Sequence, residues 1–380
     1  MNTTAALAAS LGIAALAFDG AALATQINTA EPGGAYHETF CPLLEEQLSK
    51  SRFPHRCATS KGTADNVARV AADPMQLGFG QLDVFALEAE RFGGPSRFTR
   101  LRVDDVRECV FAVTRNPEIT NYGEVAAFAS QLRFVLPPET SGSAGTFRFL
   151  QKIDPQGVGS ARGVTNAAST EEALRTALSS DDAVAFFVQF PDPNNQRFKL
   201  IQELGGHVVP VIDRTILRQQ LEDRKIYYAQ ETQVTNSRWL KAGQKVVTAC
   251  TPLVVFTGAP DTISGEPNRA EHRDLIATVV TLRTVDLVPK TSFVSRVLSR
   301  TRELSSAGAE RIGRYAEQAR EQAAPLIEKA RDATGKAIEA AKPAYEKAKE
   351  LGSKAVERVE QEAREIIEKV RPEESGEQPR

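Results

Sequence analysis

Two α/β lobes with mostly parallel sheets, followed by a long charged helical tail, are the fold class that this 380-residue sequence predicts. Three observations predict it. Short apolar runs alternate with segments of helical spacing, the pattern of a parallel sheet with helices on both faces. The alternation occurs in two series, the second embedded between two apolar runs that read as strands leaving one lobe and returning to it. From about residue 299 the alternation stops, and Ala, Glu, Lys and Arg dominate.

The first series opens with a strand over Gln26–Ala30, a Gly-rich turn, and a helix over His37–Ser49 with Phe40, Leu43, Leu44 and Leu48 on one face. A strand over Arg56–Ser60 and a helix over Ala64–Ala72, stopped before Pro74, come next. A strand over Gln76–Gly80 and a helix over Leu82–Glu90 complete the series. Arg107–Thr114 is the outgoing apolar strand. The second series has strands at Leu132–Leu136, Ala183–Phe190 and Val208–Ile212. Its helices are expected at Thr146–Ile153, Thr170–Ser179 (Thr170 as cap) and Phe198–Leu204, with Pro137–Gly145 as a loop. Lys245–Gly258 is the return strand, and Ala270–Leu282 the helix after it. The expected lobes are therefore 25–111 with 245–298, and 112–244.

The ends differ in kind. Residues 5–18 form an apolar run shorter than the roughly 20 residues a bilayer span takes. Ala22-Leu23-Ala24 then offers a small-x-small cleavage site before Thr25, so 1–24 reads as an export signal, although no Lys or Arg precedes the run. The other reading is a buried N-terminal helix. The tail, 299–372, repeats small and apolar residues every eleven positions, as at Leu326, Ala337, Ala348, Val359 and Val370, which keeps them on one helix face in coiled-coil fashion. Residues 373–380 are expected to be disordered.

Four cysteines, an even number in an exported chain, suggest disulfides. Of three possible pairings, Cys41–Cys57 and Cys109–Cys250 suit the topology. The former links the first helix to the second strand, and the latter joins the outgoing and returning strands. Four buried free thiols are the other reading.

The net charge of −2 argues against nucleic acid as a partner. No CxxC occurs and the four histidines are scattered, so no metal site is expected. Neither a Gly-x-Ser-x-Gly elbow nor a P-loop is present. The expectation is a binding protein, not an enzyme, without a cofactor.

Four polar loops sit at predicted strand ends, where open α/β sheets bind ligands. They are Pro32–Tyr36, Thr59–Thr63, Gly78–Asp83 and Thr140–Thr146. In this order Pro32-Gly33-Gly34-Ala35-Tyr36, Thr59-Ser60-Lys61-Gly62-Thr63-Ala64-Asp65-Asn66, Gly78-Phe79-Gly80-Gln81-Leu82-Asp83 and Ser141-Gly142-Ser143-Ala144-Gly145-Thr146 resemble the loops of the TAXI family of TRAP-transporter solute receptors, over about residues 26–290. Ala35 stands where that family usually has Thr, and Ala144 is an extra residue in the serine-glycine loop.

The resemblance implies a type II periplasmic-binding-protein fold and a periplasmic receptor for a small organic anion or amino acid, closing by a hinge motion and delivering its ligand to membrane permease subunits. The implied ligand residues are Gly33, Gly34, Ala35, Tyr36, Thr59, Ser60, Gly80, Gln81, Asp83, Ser141, Gly142, Ser143, Gly145 and Thr146. Hydroxyls of Ser141, Ser143 and Thr146 are expected to hold a carboxylate, with Arg115, Lys61 or Arg148 as the cation. Trp239 and Arg238 are more readily assigned to lobe packing than to ligand contact. The alternative function is a sensory or envelope interaction protein whose helical tail binds a protein partner.

Overall fold

The computed structural model describes residues 25–235 and 244–287, together with 302–303, 308–310, 313–314 and 316–322. The expected export signal, Trp239 with Arg238, and the tail beyond residue 322 lie outside the described residues.

The first lobe begins β1 (Thr25–Asn28), a π-turn (Tyr36–Phe40) running into α1 (Cys41–Lys50), β2 (His55–Ala58), α2 (Thr63–Ala72), β3 (Leu77–Gln81) and α3 (Leu82–Ala89). The chain leaves along β4 (Phe98–Thr114). The second lobe is α4 (Tyr122–Phe128), β5 (Arg133–Leu136), α5 (Gly142–Ile153), β6 (Gly163–Asn166), α6 (Thr170–Ala177), β7 (Ala183–Gln189), α7 (Gln196–Glu203), β8 (His207–Pro210) and α8 (Arg214–Leu217). A small hairpin of β9 (Gln220–Leu221) and β10 (Arg224–Lys225) precedes β11 (Tyr228–Gln233). The chain returns along β12 (Lys245–Gly258) to α9 (Glu266–Thr281) and α10 (Thr284–Leu287), and β13 (Arg302–Glu303) follows.

Strand order is β2-β1-β3-β12-β4-β7-β5-β6. β1 runs parallel to β2 and β3, and β5 runs parallel to β6 and β7. The two long strands run antiparallel to these and to each other. The lobe sheets are thus mixed where mostly parallel ones were expected, because both lobes share a pair of strands traversed in opposite directions. β4 and β12 lie side by side up to Cys109 opposite Cys250, and then part. Beyond that point β4 joins β7 and β8, and β12 joins β11. This is the expected two-lobed α/β architecture. Both expected disulfides are present, Cys41–Cys57 and Cys109–Cys250, the latter directly across the two long strands.

Packing joins the lobes on one side. Leu82, Phe85, Val254 and Phe256 of the first lobe share a continuous buried cluster with Phe134, Phe147 and Phe186 of the second. The N-terminal half of α5 presses on α3, where a Cβ on Gly145 would sit 2.8 Å from Val84. Within that contact the fully buried Asp83 carboxylate accepts hydrogen bonds from Thr146 Oγ1 (2.6 Å), Tyr227 Oη (2.8 Å) and the Val84 N–H (2.8 Å). Burial raises the Asp83 pKa above its ordinary value, and the two hydroxyls oppose the rise.

The described part of the tail lies against the second lobe. β13 pairs with β11, and Ala316 is buried over α4, so close that a Cβ on Gly123 would collide with the Ala316 carbonyl oxygen. Arg320 reaches the buried Asp154 at 3.0 Å, and Arg214 reaches Glu317 at 3.2 Å. α10 packs on α1 in the first lobe, whereas the described tail residues from 302 onward lie on the second lobe.

Two outcomes are expected. Asp83→Ala strands two buried hydroxyls and should cost about 3 kcal/mol of unfolding free energy, measured by urea denaturation. Gly123→Val should dislodge residues 316–322, read as faster tryptic cleavage at Arg314 and Arg320 while the two lobes stay resistant.

Candidate functional site

Residues of both lobes line a cavity of about 450 Å³. The first-lobe wall is Ala30–Tyr36 with Lys61, Gly62 and Thr63. The second-lobe wall is Pro137, Pro138, Ser141–Ser143, Ala168–Glu171, Val188 and Arg197, and Gln81 and Glu108 also line the space.

Local sequence explains why helix starts converge here. Gly62, with φ +109°, turns the chain into α2, a conformation that glycine adopts without steric cost. Ser141 caps α5 by accepting the Ala144 N–H, and Ser169 caps α6 by accepting the Glu172 N–H. The start of the π-turn at Ala35–Tyr36 completes the set. Four helical N-termini, each carrying a partial positive charge, thus face one cavity. Each capping serine uses an oxygen lone pair for its helix, so its O–H proton remains available to an acceptor in the cavity.

Of the residues expected to touch ligand, the wall includes Gly33, Gly34, Ala35, Tyr36, Gln81, Ser141, Gly142 and Ser143. The other six stand elsewhere. Thr59 is exposed, and its carbonyl accepts from Arg69. Ser60 accepts the Gly62 N–H and shapes the turn. Gly80 lets β3 approach Thr63 on α2. Asp83, Gly145 and Thr146 form the contact between the lobes. Two of the three hydroxyls expected to hold a carboxylate are engaged with the protein: Thr146 donates to Asp83, and Ser143 Oγ accepts the Val188 N–H at 2.9 Å.

Among the proposed cations only Lys61 lines the cavity. Arg115 pairs with Asp181 at 3.1 Å, and Arg148 with Glu88 at 3.6 Å and the Glu139 carbonyl. The second cation on the wall is Arg197, which sequence reasoning missed. Its Nε lies 2.8 Å from Glu171 and its Nη1 2.9 Å from Gln189 Oε1.

Glu108, on β4 beside the Cys109–Cys250 bridge, was missed as well. The Tyr36 hydroxyl donates to its carboxylate at 2.7 Å, and the Gln81 side chain also hydrogen-bonds to it. Burial pushes its pKa from 4.5 to about 7, and the charge of Asp83 adds to the rise. Burial also raises Tyr36 well above its ordinary value, so the phenol stays protonated and keeps donating.

No family model matches the chain, and no curated protein matches it. Solved structures match it at low similarity. The ligand-binding core of GluR0 in complex with L-glutamate is 11% identical, covering 73% of this chain and 100% of that one, with a TM-score of 0.39. MatC from Rhodopseudomonas palustris with bound malate is 12% identical over 80% of this chain and 98% of that one, TM-score 0.38. PhnD1 from Prochlorococcus marinus with methylphosphonate is 12% identical over the same shares, TM-score 0.41. What this cavity takes up has to follow from its own side chains.

A carboxyl whose folded pKa exceeds its unfolded one contributes stability that is complete below about pH 4.5 and lost as pH rises through about 7. Glu108→Gln removes that loss. The variant should match the wild type near pH 4 and exceed it by about 1–3 kcal/mol at pH 8. Denaturant melts at the two pH values check this.

Proposed function

We propose that this chain is a periplasmic solute receptor that captures a small organic anion or amino acid between its lobes and hands it to a TRAP-type membrane transporter. The observation that carries the reading is the convergence of four helical N-termini, Lys61 and Arg197 on one cavity between two lobes. Such a wall holds a carboxylate by N–H groups, by the hydroxyls of Ser141 and Ser169, and by charge. The cavity volume suits a molecule of metabolite size. Two disulfides fit an oxidising compartment, consistent with export through the apolar N-terminal run. The order of the four loops along the sequence supports the TAXI-like assignment, and with it the permease as partner.

In this reading the ligand favours the closed form because only there does it touch both walls at once. The bend falls on β4 and β12 near the Cys109–Cys250 bridge, where the two strands part. No chemistry on the ligand is invoked, and the side chains on the wall are assigned to recognition alone.

The test is a thermal-shift screen of the purified protein against small carboxylates and amino acids. A ligand at about 100 times its Kd adds about 2.7 kcal/mol of stability, an upward shift of several degrees. Arg197→Gln should weaken a hit about tenfold to a hundredfold, the loss of one charge-assisted hydrogen bond. Tyr36→Phe should weaken it less. Silence across the panel, or a hit untouched by both variants, removes this cavity as the site.

A further inference from the structure

We propose that Glu108 seats a cationic ammonium group of the captured solute, so that the ligand is an amine-bearing acid and not a plain carboxylate. The inference rests on the receptor reading above and names what the floor of that site selects.

The argument is one of donors and acceptors. The Tyr36 hydroxyl already donates to Glu108, and the Gln81 side chain bonds to the same carboxylate. What remains on the floor is acceptors. Gln81 is 3% exposed, and its Oε1 is buried without a hydrogen-bond partner. That oxygen abuts Gly142, where a Cβ would collide with it, so it stands at the seam between floor and wall. The buried Gln81 oxygen without a partner is costly, the Glu108 carboxylate keeps lone pairs beyond its two bonds, and a group bearing several N–H donors satisfies both at once. A second carboxylate in the same place would have to accept a proton from Glu108 or repel it.

Charges around Glu108 agree with this. Tyr36 faces it from the π-turn, Gln81 from β3 and Asp83 from α3, while Thr251 lies opposite on β12. Glu31 and Lys61 line the same cavity from first-lobe loops, and Glu171 and Arg197 from the second lobe. The charge acting most on Glu108 is that of Asp83, of the same sign. Arg197 is already held by Glu171. An ammonium group of the solute would bring the opposite charge to this point. The cavity consequently offers helix starts on its walls for an anion and acceptors on its floor for a cation.

With a pKa of about 7, the empty site carries its proton about half the time at neutral pH. An arriving ammonium ion favours the carboxylate, and the proton leaves to buffer. Uptake of an amine is therefore coupled to proton release, and its affinity climbs about tenfold between pH 6 and pH 8. A plain anion would show the opposite trend, because it gains from a protonated Glu108 and loses as that group ionises.

The experiment uses the full chain and probes paired by their amine: L-glutamate with glutarate, L-alanine with propionate, L-leucine with 4-methylpentanoate. Calorimetry in two buffers of different ionisation enthalpy counts protons. The expected result is binding confined to amine-bearing members, with about half a proton released at pH 7. Glu108→Gln should abolish proton release and lower affinity at least tenfold, with its disulfides and circular dichroism unchanged, while Glu108→Asp retains part of both. If a deaminated partner binds as tightly, or if Glu108→Gln binds with the same proton count, the ammonium seat is wrong and the receptor reading stands. If no member of any pair binds, both fall together.

Discussion

The arrangement of the two lobes depends on one buried carboxylate. Asp83 lies at the start of α3, shut away from water, and an unpartnered charge there would cost several kcal/mol. Its partners come from distant parts of the chain: Thr146 from α5 in the second lobe, and Tyr227 from the segment just before β11. Satisfying Asp83 therefore fixes α5 against α3. Gly145 and Gly142 permit that approach, since larger residues would strike Val84 and Gln81. Once α5 is fixed, its capped N-terminus can face only the space on the other side of the contact, which is the cavity. The position of the site is a consequence of packing at a place that touches no ligand.

That contact also sorts polarity. Helix starts from both lobes surround the cavity, while the long strands beneath it supply side chains. Glu108 alternates with Arg107 along β4, so the two point to opposite faces. Arg107 stacks on the Tyr228 ring at 3.7 Å, away from the cavity that Glu108 lines. A shift of one residue in this register would exchange them, putting a guanidinium on the floor beside the helix starts. The Cys109–Cys250 bridge, one residue from Glu108, ties the two strands in the register that keeps the carboxylate inward.

Much of the fold was legible. The return strand over Lys245–Gly258 was read to the residue, because β-branched and apolar side chains run through it without a break. The outgoing strand was read only from Arg107, since Arg100, Arg102, Asp104 and Asp105 hide its first half among charges, although it runs from Phe98. Small residues misled in the serine-glycine loop. Gly142–Gly145 have poor helix propensity, yet they form the first turn of α5, because close contact with the other lobe outweighs propensity there. The cap before α6 was placed at Thr170 and is Ser169. Of the expected hydroxyls and glycines, Gly80, Gly145 and Thr146 face a neighbouring helix, and composition does not tell that surface from a ligand. A signal for Glu108 was present: an acid directly before Cys109 and the apolar run Val110–Val113. Arg197, in a polar loop and helix start, carried none.

The shared core limits how such a molecule can open. Pulling the lobes straight apart would expose Phe85, Phe147, Phe186 and Phe256, each burying on the order of 150–250 Å², and would break the bonds to Asp83. In the receptor reading, opening is a rotation about the α3–α5 contact, which would leave that core intact and widen the cavity. The strands that must bend to allow it are β4 and β12, and the place where they part is Cys109–Cys250. Glu108 occupies the same point. A charge received there acts at the pivot of the opening, whereas an anion held by the helix starts acts on the walls that the pivot separates. In the proposed reading, a solute that engages both would couple the angle between the lobes to the protonation state of a single carboxyl group.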